Sequence, residues 1–313
     1  MRLSDDEAFE MFKNARWESG EPSCPRCDHK EHYWICTRKQ WRCKSCGHSF
    51  SETSGTIFAN HKMPLRNYLA AIAIYSNAAK GMSALQLSRD LDCQYKTAFV
   101  LAHKLGESLL DDQIPELDGE IEMDAAYVNG HVRPHNERSK RIDRRLKRNR
   151  DPMKRAVYVA RERCDSGIGA SKTVTAVAGS ENELSVLRFA KKHFEQGTIV
   201  NADEHKAYDV LHAFYPTERV NHSERYVGPL GESTNQAESF FSRFRRMQIG
   251  QMHLFGTLYL NRYANEAAYR EDSRRWSNGD IFTDIMTRCA QSEVSRHFCG
   301  YWQGNRRPME TLI

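Results

Sequence analysis

GEIEMDAAYVNG, residues 119–130, alternates apolar and polar side chains, which is the pattern of a β-strand with one buried face. Pro115 stands just before this stretch and Gly119 opens it, and both break the helical pattern of the preceding residues. Two more strand-like segments, an amphipathic helix and a further buried strand follow, at 154–163, 171–180, 181–194 and 197–203. This order of elements predicts a mixed α/β domain.

Three strands, a helix, a strand and a helix are typical of a ribonuclease-H-like mixed sheet, which we expect over residues 119–275. In this layout Asp124 lies within the first strand and Asp203 at the end of the fourth, on neighbouring strands. A helix that begins near Asn235 would bring Glu238 over the same place. Converging carboxylates repel one another unless a proton or a metal ion intervenes. A pair of Mg²⁺ (or Mn²⁺) ions would take these carboxylates as hard oxygen ligands and support an in-line displacement at phosphorus.

Glu238 also has a simpler interpretation, as part of a helix cap. Asn235 can be the N-cap of the helix in NQAESFFSRFRRM, and Glu238 stands where a capping box places Glu or Gln. Glu120 and Glu122 have two interpretations as well, because they share a strand face with Asp124. We favour an exposed edge or a supporting role for them over direct metal binding.

The nine cysteines are odd in number and no secretory signal precedes them, so we expect no disulfide framework. Four of them follow the pattern C-x2-C, fifteen residues, C-x2-C: Cys24, Cys27, Cys43 and Cys46. The segment between the pairs alternates as a strand, and Gly47 follows the second pair. The pattern predicts a zinc ribbon in which all four thiolates hold one structural Zn²⁺, within an N-terminal domain over 1–55 that also contains a helix.

Residues 63–109 have apolar side chains at helical spacing and predict three helices joined by turns. Gly81 and Ser83 end the first of these helices and cap the second. The last helix carries polar residues at its start, among them Lys96, as a helix-turn-helix does toward a DNA major groove. A helical packing unit without a DNA role is the alternative. The neighbouring ribbon and basic clusters favour DNA binding by the region 56–112.

The net charge of +5 is modest, but the basic residues are unevenly distributed. RSKRIDRRLKRNR, residues 138–150, holds eight basic residues and one acidic residue. Several such clusters in one chain favour contact with nucleic acid, although a solvated surface is the usual reason for a single run. We expect four side chains of this stretch to contact DNA phosphates: Arg144, Arg145, Lys147 and Arg148.

No segment of the sequence predicts a membrane or export role. The start, MRLSDDEAFEMF, is acidic and amphipathic, unlike a signal or transit peptide. The most apolar run, at 68–79, is too short and too polar to cross a bilayer. We expect a cytoplasmic, nucleoid-associated protein with no membrane partner. Residues 276–313 are weakly patterned, and we assign them no role.

Six stretches give the sequence a specific resemblance to a known family; they lie at 24–58, 121–130, 201–208, 220–227, 234–253 and 259–272. The chain resembles the DDE transposases of bacterial insertion sequences, in the ISXO-type group that joins an N-terminal zinc ribbon to a ribonuclease-H-like core. The stretches occur in the family's order and span nearly all of residues 20–275. The resemblance implies that Asp124, Asp203 and Glu238 are the catalytic residues and hold the Mg²⁺ ions.

The resemblance further implies a function. Such an enzyme binds the terminal inverted repeats of its element, cleaves at the ends, and joins the 3′-OH to target DNA. Because two ends are processed together, we expect a homodimer or a larger assembly on double-stranded DNA. His222 and Asn235 fall at family motif positions and are expected to contact the active site or the DNA end.

In one position the sequence departs from the family's pattern. Family members often have a glutamate directly after the first aspartate, and this chain has Ala125 there, so a supporting contact is missing. From the residues alone, two alternatives stay open. The first is a structure-specific, metal-dependent nuclease, and the second is a zinc-ribbon DNA-binding regulator with an inactive core.

Overall fold

The computed structural model describes residues 3–110, 117–129, 134–143, 146, 149, 151–164, 169–220, 233–295, 297–298 and 312–313. The chain folds into two compact units. The first unit comprises Met1–Leu110 and Arg275–Pro308, and the second comprises Asp111–Arg274 and Met309–Ile313. Along the chain, Asp111–Arg274 of the second unit is therefore inserted into the first unit, and Met309–Ile313 follows it. Of the helices in the described ranges, none has the combination of length and apolar character that spanning a membrane requires.

The first unit begins with helix α1 (Asp5–Arg16), which starts at a capping box. The Glu7 amide donates to Ser4 Oγ at 3.2 Å, and the Ser4 amide donates to the Glu7 carboxylate at 2.8 Å. An antiparallel sheet of three strands follows: β1 (His32–Ile35), β2 (Gln40–Cys43) and β3 (Ser49–Phe50). The rings of Phe9 and Trp41 stack with their centroids 5.7 Å apart. The small sheet and the helix therefore share one aromatic core.

Three helices come next in the first unit: α2 (Leu65–Asn77), α3 (Ala84–Asp90) and α4 (Tyr95–Ser108). Ser83 caps α3, as predicted, because its side chain accepts a hydrogen bond from an amide of the first turn. α3 and α4 pack against each other across a tight turn in which Asp92 has a φ of 48°. Tyr95 and Lys96 are exposed at the start of α4. That is the placement expected of polar residues that face DNA.

The second unit is built on a sheet of five strands: β4 (Glu120–Val128), β5 (Arg155–Arg163), β6 (Ala170–Ala178), β7 (Ile199–Asp203) and β8 (Thr217–Val220). Their order across the sheet is β6-β5-β4-β7-β8. β5 pairs antiparallel with both β4 and β6, whereas β7 runs parallel to both β4 and β8. The predicted fold class, a zinc ribbon followed by a ribonuclease-H-like mixed sheet, is confirmed.

Helices cover both faces of this sheet. They are α5 (Glu183–His193), a 3₁₀ helix (Lys206–Ala213), α6 (Asn235–Met247) and α7 (Leu260–Asp272). Met123 of β4 packs in the core with α5 and the 3₁₀ helix, whereas Val128 packs in the core with α6 and α7. Because successive side chains of a strand point to opposite faces, the even-numbered residues of β4 face α6 and the odd-numbered ones face α5.

After the second unit, the chain returns to the first as helix α8 (Asn278–Gln291), which Ser277 caps. α8 packs against α1, α2 and α4, and its buried side includes Ile285, Met286 and Cys289. Cys289 Sγ lies 3.2 Å from Ser108 Oγ at the end of α4. The segment 276–313, to which the sequence assigned no role, thus contributes a helix to the core of the first unit.

Candidate active site and zinc centre

Asp124 and Asp203 lie on neighbouring parallel strands. Met123 of β4 is paired with Ala202 of β7, so each aspartate follows its paired residue by one position. Met123 and Ala202 both belong to the core on the α5 side of the sheet. By strand alternation, both aspartates therefore face the α6 side.

The Asp124 carboxyl group lies in a largely buried and negatively charged environment. Its pKa is raised to about 7, first by burial and then by the negative charges of Asp203, Glu181 and Glu238. The amide of Ala125, which donates to Asp124 Oδ1 at 2.7 Å, opposes this rise. A buried acid surrounded by other acids binds either a proton or a cation at neutral pH, and such groups cluster at functional sites.

Glu238 lies in the first turn of α6, and its negative charge contributes to the raised pKa of Asp124. The helix begins at Asn235 and its N-cap is Thr234, whose side chain makes no capping hydrogen bond. The alternative interpretation, in which Asn235 is the N-cap and Glu238 closes a capping box, is therefore wrong. The Glu238 amide donates to the Thr234 carbonyl at 2.9 Å, as an ordinary helical bond, and the side chain is exposed. Helix capping does not explain an acidic residue at this position.

The first turn of α6 is capped by Glu122, which lies 114 residues before Gln236. The Glu122 carboxylate accepts hydrogen bonds from the amides of Gln236 at 2.6 Å and Ala237 at 3.4 Å. Glu122 is 1% exposed on an inner strand, so its interpretation as an exposed edge residue is wrong. Glu120, in contrast, has a side chain that is 40% exposed and accepts from Asn201 Nδ2 at 2.9 Å.

One acidic residue near the site, Glu181, was not predicted from the sequence. Burial raises the pKa of Glu181, and its Oε1 lies 3.6 Å from Nδ1 of His205. In the sequence Glu181 stands directly before Asn182, the N-cap of α5, and has the appearance of an ordinary acid at a helix start. A cavity of about 350 Å³ is lined by Glu181, Asn182, Glu183, Leu184, His205 and Ala207.

Four cysteine side chains converge in the first unit: those of Cys24, Cys27, Cys43 and Cys46. Their sulfurs all lie within 4.8 Å of one another, and no other group of three or more His, Cys, Asp or Glu in the described ranges is this close. Cys27 Sγ lies 3.4 Å from Cys46 Sγ and 3.6 Å from Cys43 Sγ. A tetrahedron with Zn–S bonds of about 2.3 Å separates its sulfurs by about 3.8 Å. The cluster therefore fits the predicted structural Zn²⁺.

Two equivalent turns hold the cysteine pairs. The amide of Asp28 donates to the Cys24 carbonyl at 2.8 Å, and the amide of Gly47 donates to the Cys43 carbonyl at 3.1 Å. Both turn residues have positive φ, 57° for Asp28 and 69° for Gly47. The backbone N–H of Cys46 lowers the pKa of Cys43, whereas hydrogen bonds with the neighbouring thiols raise the pKa of Cys27.

Of the predicted DNA contacts, Asn235 and Lys96 are described, and both are exposed. Asn235 is the first residue of α6, one turn before Glu238. The remaining predicted contacts lie outside the described residues: His222, Arg144, Arg145, Lys147 and Arg148.

The chain matches two known protein domains. Residues 116–272 match the ISXO2-like transposase domain, and residues 3–49 match the transposase zinc-ribbon domain. A Halobacterium salinarum protein described as "Uncharacterized protein in transposable element ISH50" is 26% identical over 255 residues, which cover 78% of this chain and 83% of that protein. These matches confirm the resemblance seen in the sequence and the function of an insertion-sequence transposase. Because the transposase domain covers half of the chain and the ribbon precedes it, the chain belongs to the ISXO2-like transposases.

Proposed function

We propose that this transposase cuts DNA at the terminal inverted repeats of its element and joins the freed 3′-OH to target DNA at one acidic site. The arrangement of Asp124, Asp203 and Glu238 carries the proposal. Asp124 and Asp203 lie on adjacent parallel strands, and the charges of Asp203 and Glu238 both raise the pKa of Asp124. Strand cleavage and strand transfer are the same substitution at phosphorus, so a single site serves both steps.

Two Mg²⁺ (or Mn²⁺) ions are the cofactor that this site suits, because carboxylate oxygens are the hard ligands that Mg²⁺ takes in proteins. Asp124, Asp203 and Glu238 would hold them. When bound, the cations supply positive charge that activates the attacking oxygen and stabilises the leaving oxygen. Asp124 has to give up its proton to act as a ligand. Since its pKa without a cation is about 7, we expect divalent-cation binding to tighten as the pH rises toward 8.

We assign recognition of the inverted repeats to the zinc ribbon and to the α3–α4 pair with Lys96 at its exposed end. The transposase and zinc-ribbon matches support DNA as the partner. The basic stretch 138–150 would contact phosphates, and His222 and Asn235 would contact the active site or the DNA end. Because two ends are cut and joined together, the working form is a homodimer or a larger assembly on DNA. Its place is the nucleoid in the cytoplasm, where the substrate lies.

A strand-transfer assay tests the proposed function. DNA that flanks the gene supplies the candidate inverted repeats, and a labelled duplex with one such end is incubated with target plasmid and Mg²⁺. We expect a new 3′-OH at the repeat boundary and label in the plasmid. Asp203→Asn should lose both products while still binding the duplex, and Glu204→Gln, which changes an exposed neighbour, should keep both.

Two results of this assay would contradict the proposal. Cleavage without joining would make the protein a nuclease on these substrates. Full activity of Asp203→Asn in Mg²⁺ would mean that Asp203 is not a ligand of the catalytic cations.

A further inference from the structure

The buried carboxylate of Glu122 joins the sheet to the start of α6. One oxygen, Oε2, accepts from the amides of Gln236 at 2.6 Å and Ala237 at 3.4 Å. The other, Oε1, accepts from Ser233 Oγ at 2.9 Å and Arg163 Nε at 3.1 Å. The Glu122 side chain is 2% exposed, so water does not compete for these four bonds. Hydrogen bonds to a charged acceptor are the strong ones, and more so away from water.

These bonds replace the local cap that α6 does not have. Amides in the first turn of a helix have no helical partner, and the side chain of the N-cap Thr234 makes no capping bond. Glu122 takes that role from β4, and its negative charge lies at the positive end of the helix dipole. The start of α6 is thus fixed to the strand that carries Asp124, and not to its own preceding residues.

The neighbouring strand β5 also contacts the first turn of α6, through a backbone carbonyl group. Arg161 of β5 is 2% exposed and donates from Nη1 to the Gln236 carbonyl at 2.9 Å. Its Nε donates to Thr173 Oγ1 at 3.1 Å, which fixes the guanidinium group. Arg163 donates from Nη2 to Ser233 Oγ at 2.9 Å. Side chains of β4 and β5 therefore bind both backbone N–H groups and a backbone carbonyl group at the start of α6.

We propose that Glu122 is a positioning residue of the active site, which fixes the start of α6 so that Glu238 faces Asp124. This inference rests on the proposed function for the roles of Glu238 and Asp124. Glu122 and Asp124 share one face of β4, about 7 Å apart along the strand, and Glu238 stands two residues beyond the capped Gln236. When the first turn of α6 rotates or frays, Glu238 moves relative to Asp124.

The chemistry of the bonds shows which substitutions remove this function. All four partners of the Glu122 carboxylate donate hydrogens, so both of its oxygens have to accept. In Glu122→Gln the amide nitrogen replaces one oxygen and directs two N–H groups at these donors. In Glu122→Asp the charge stays, but the oxygens withdraw by one methylene group.

The test compares Glu122→Gln with Glu120→Gln in the full-length, zinc-loaded protein. Glu120 is the matched control: it lies on the same strand and loses the same charge. Its carboxylate also accepts from Arg163, but its other partner in the described part of the chain is Asn201, not an α6 amide. Hydrogen exchange of the peptide 233–247 reports on the start of α6. Titration with Mn²⁺, followed by electron paramagnetic resonance, reports on metal affinity without any reaction.

We expect the Gln236 and Ala237 amides of Glu122→Gln to exchange at least about tenfold faster than in the wild type. Mn²⁺ binding and cleavage at limiting Mg²⁺ should each weaken at least about tenfold. Glu120→Gln should change neither the exchange nor the Mn²⁺ affinity. Because Glu122 acts through Glu238, adding Glu122→Gln to Glu238→Gln should weaken Mn²⁺ binding no further.

Three outcomes overturn the proposal. If hydrogen exchange of the α6 amides is unchanged, Glu122 does not cap the helix. If exchange is faster but the Mn²⁺ affinity is unchanged, the cap is purely structural. If the losses of Mn²⁺ affinity are additive in the double variant, Glu122 does not act through Glu238. If Glu122→Gln does not fold, Glu122→Asp provides the same comparison. Failure of the proposed function is distinct, because Glu238→Gln alone would then bind Mn²⁺ and cleave DNA like the wild type.

Discussion

Replacing Asp124 with asparagine should stabilise the metal-free second unit, although it removes a proposed metal ligand. The pKa of Asp124 is raised from its ordinary 3.8 to about 7, chiefly by burial. The folded protein therefore binds this proton more tightly than the unfolded chain. The stabilising contribution of Asp124 is complete below pH 4 and is lost as the pH rises from about 4 to 7. Because the two pKa values differ by about three, the unfolding free energy is lower by about 4 kcal/mol at pH 8 than below pH 4.

Asparagine keeps the shape of Asp124 and can still accept the bond from the Ala125 amide, but it does not titrate. The stability advantage of Asp124→Asn should therefore grow by about 3 kcal/mol between pH 5 and pH 8. Burial also raises the pKa of Asp272 to about 7, but this residue is the same in both proteins, so its effect cancels. The exposed Asp118 provides the control variant, Asp118→Asn, which should show no such trend.

Urea unfolding followed by hydrogen exchange of β4 and β5 peptides measures this stability in the second unit alone. The buffer should lack Mg²⁺ but contain no chelator, so that the ribbon keeps its zinc. Adding Mg²⁺ at pH 8 should stabilise the wild type and leave Asp124→Asn unchanged. An asparagine variant no more stable than the wild type at pH 8, or an advantage that is the same at every pH, would refute this reasoning.

Three further predictions concern the zinc, the third acid and the basic stretch. Purified protein should carry about one Zn²⁺ per chain, and Cys43→Ser should lose it and weaken end binding while the second unit stays folded. Metal analysis that finds no zinc in the wild type would contradict the ribbon. Glu238→Gln should melt like the wild type and bind ends, yet lose cleavage and strand transfer by at least about a hundredfold. Near-normal cleavage in Mg²⁺ would make Glu238 a structural residue. Alanine at 144, 145, 147 and 148 should lower the log–log salt slope of DNA binding by about one per lost phosphate contact. An unchanged slope would mean a solvated surface.

The features predicted well from the sequence are those encoded at fixed spacing or by element order. The two C-x2-C pairs predicted a zinc ribbon, and the four sulfurs lie within 4.8 Å of one another. The order of strands and helices predicted that β4 and β7 are neighbours, because a ribonuclease-H-like sheet pairs its first and fourth strands. That pairing was enough to place Asp124 beside Asp203.

The cap of α6 could not be predicted, because its partner is distant in the sequence. A capping box is a local pattern, and the acid that caps α6 comes from β4. Glu181 was missed for the same reason: only folding brings it near Asp124. α8 is a different case. Ile285 and Cys289 are one helical turn apart, as are Met286 and Ala290, and all four are buried. This helical spacing of apolar residues was present in the sequence, but the spacing alone does not show which elements α8 packs against.

The return of the chain to its first unit has a consequence for biosynthesis. The ribosome completes residues up to Leu110 early, but α8 emerges only after Asp111–Arg274 of the second unit, whose last core helix ends at Asp272. Until then the surfaces of α1, α2 and α4 that α8 covers lack their partner. The unit to which we assign end recognition is thus completed only after Asp111–Arg274 of the second unit has been made. A polypeptide cut short within the inserted unit would lack α8, so it should not persist as a fragment that occupies element ends and blocks the intact enzyme.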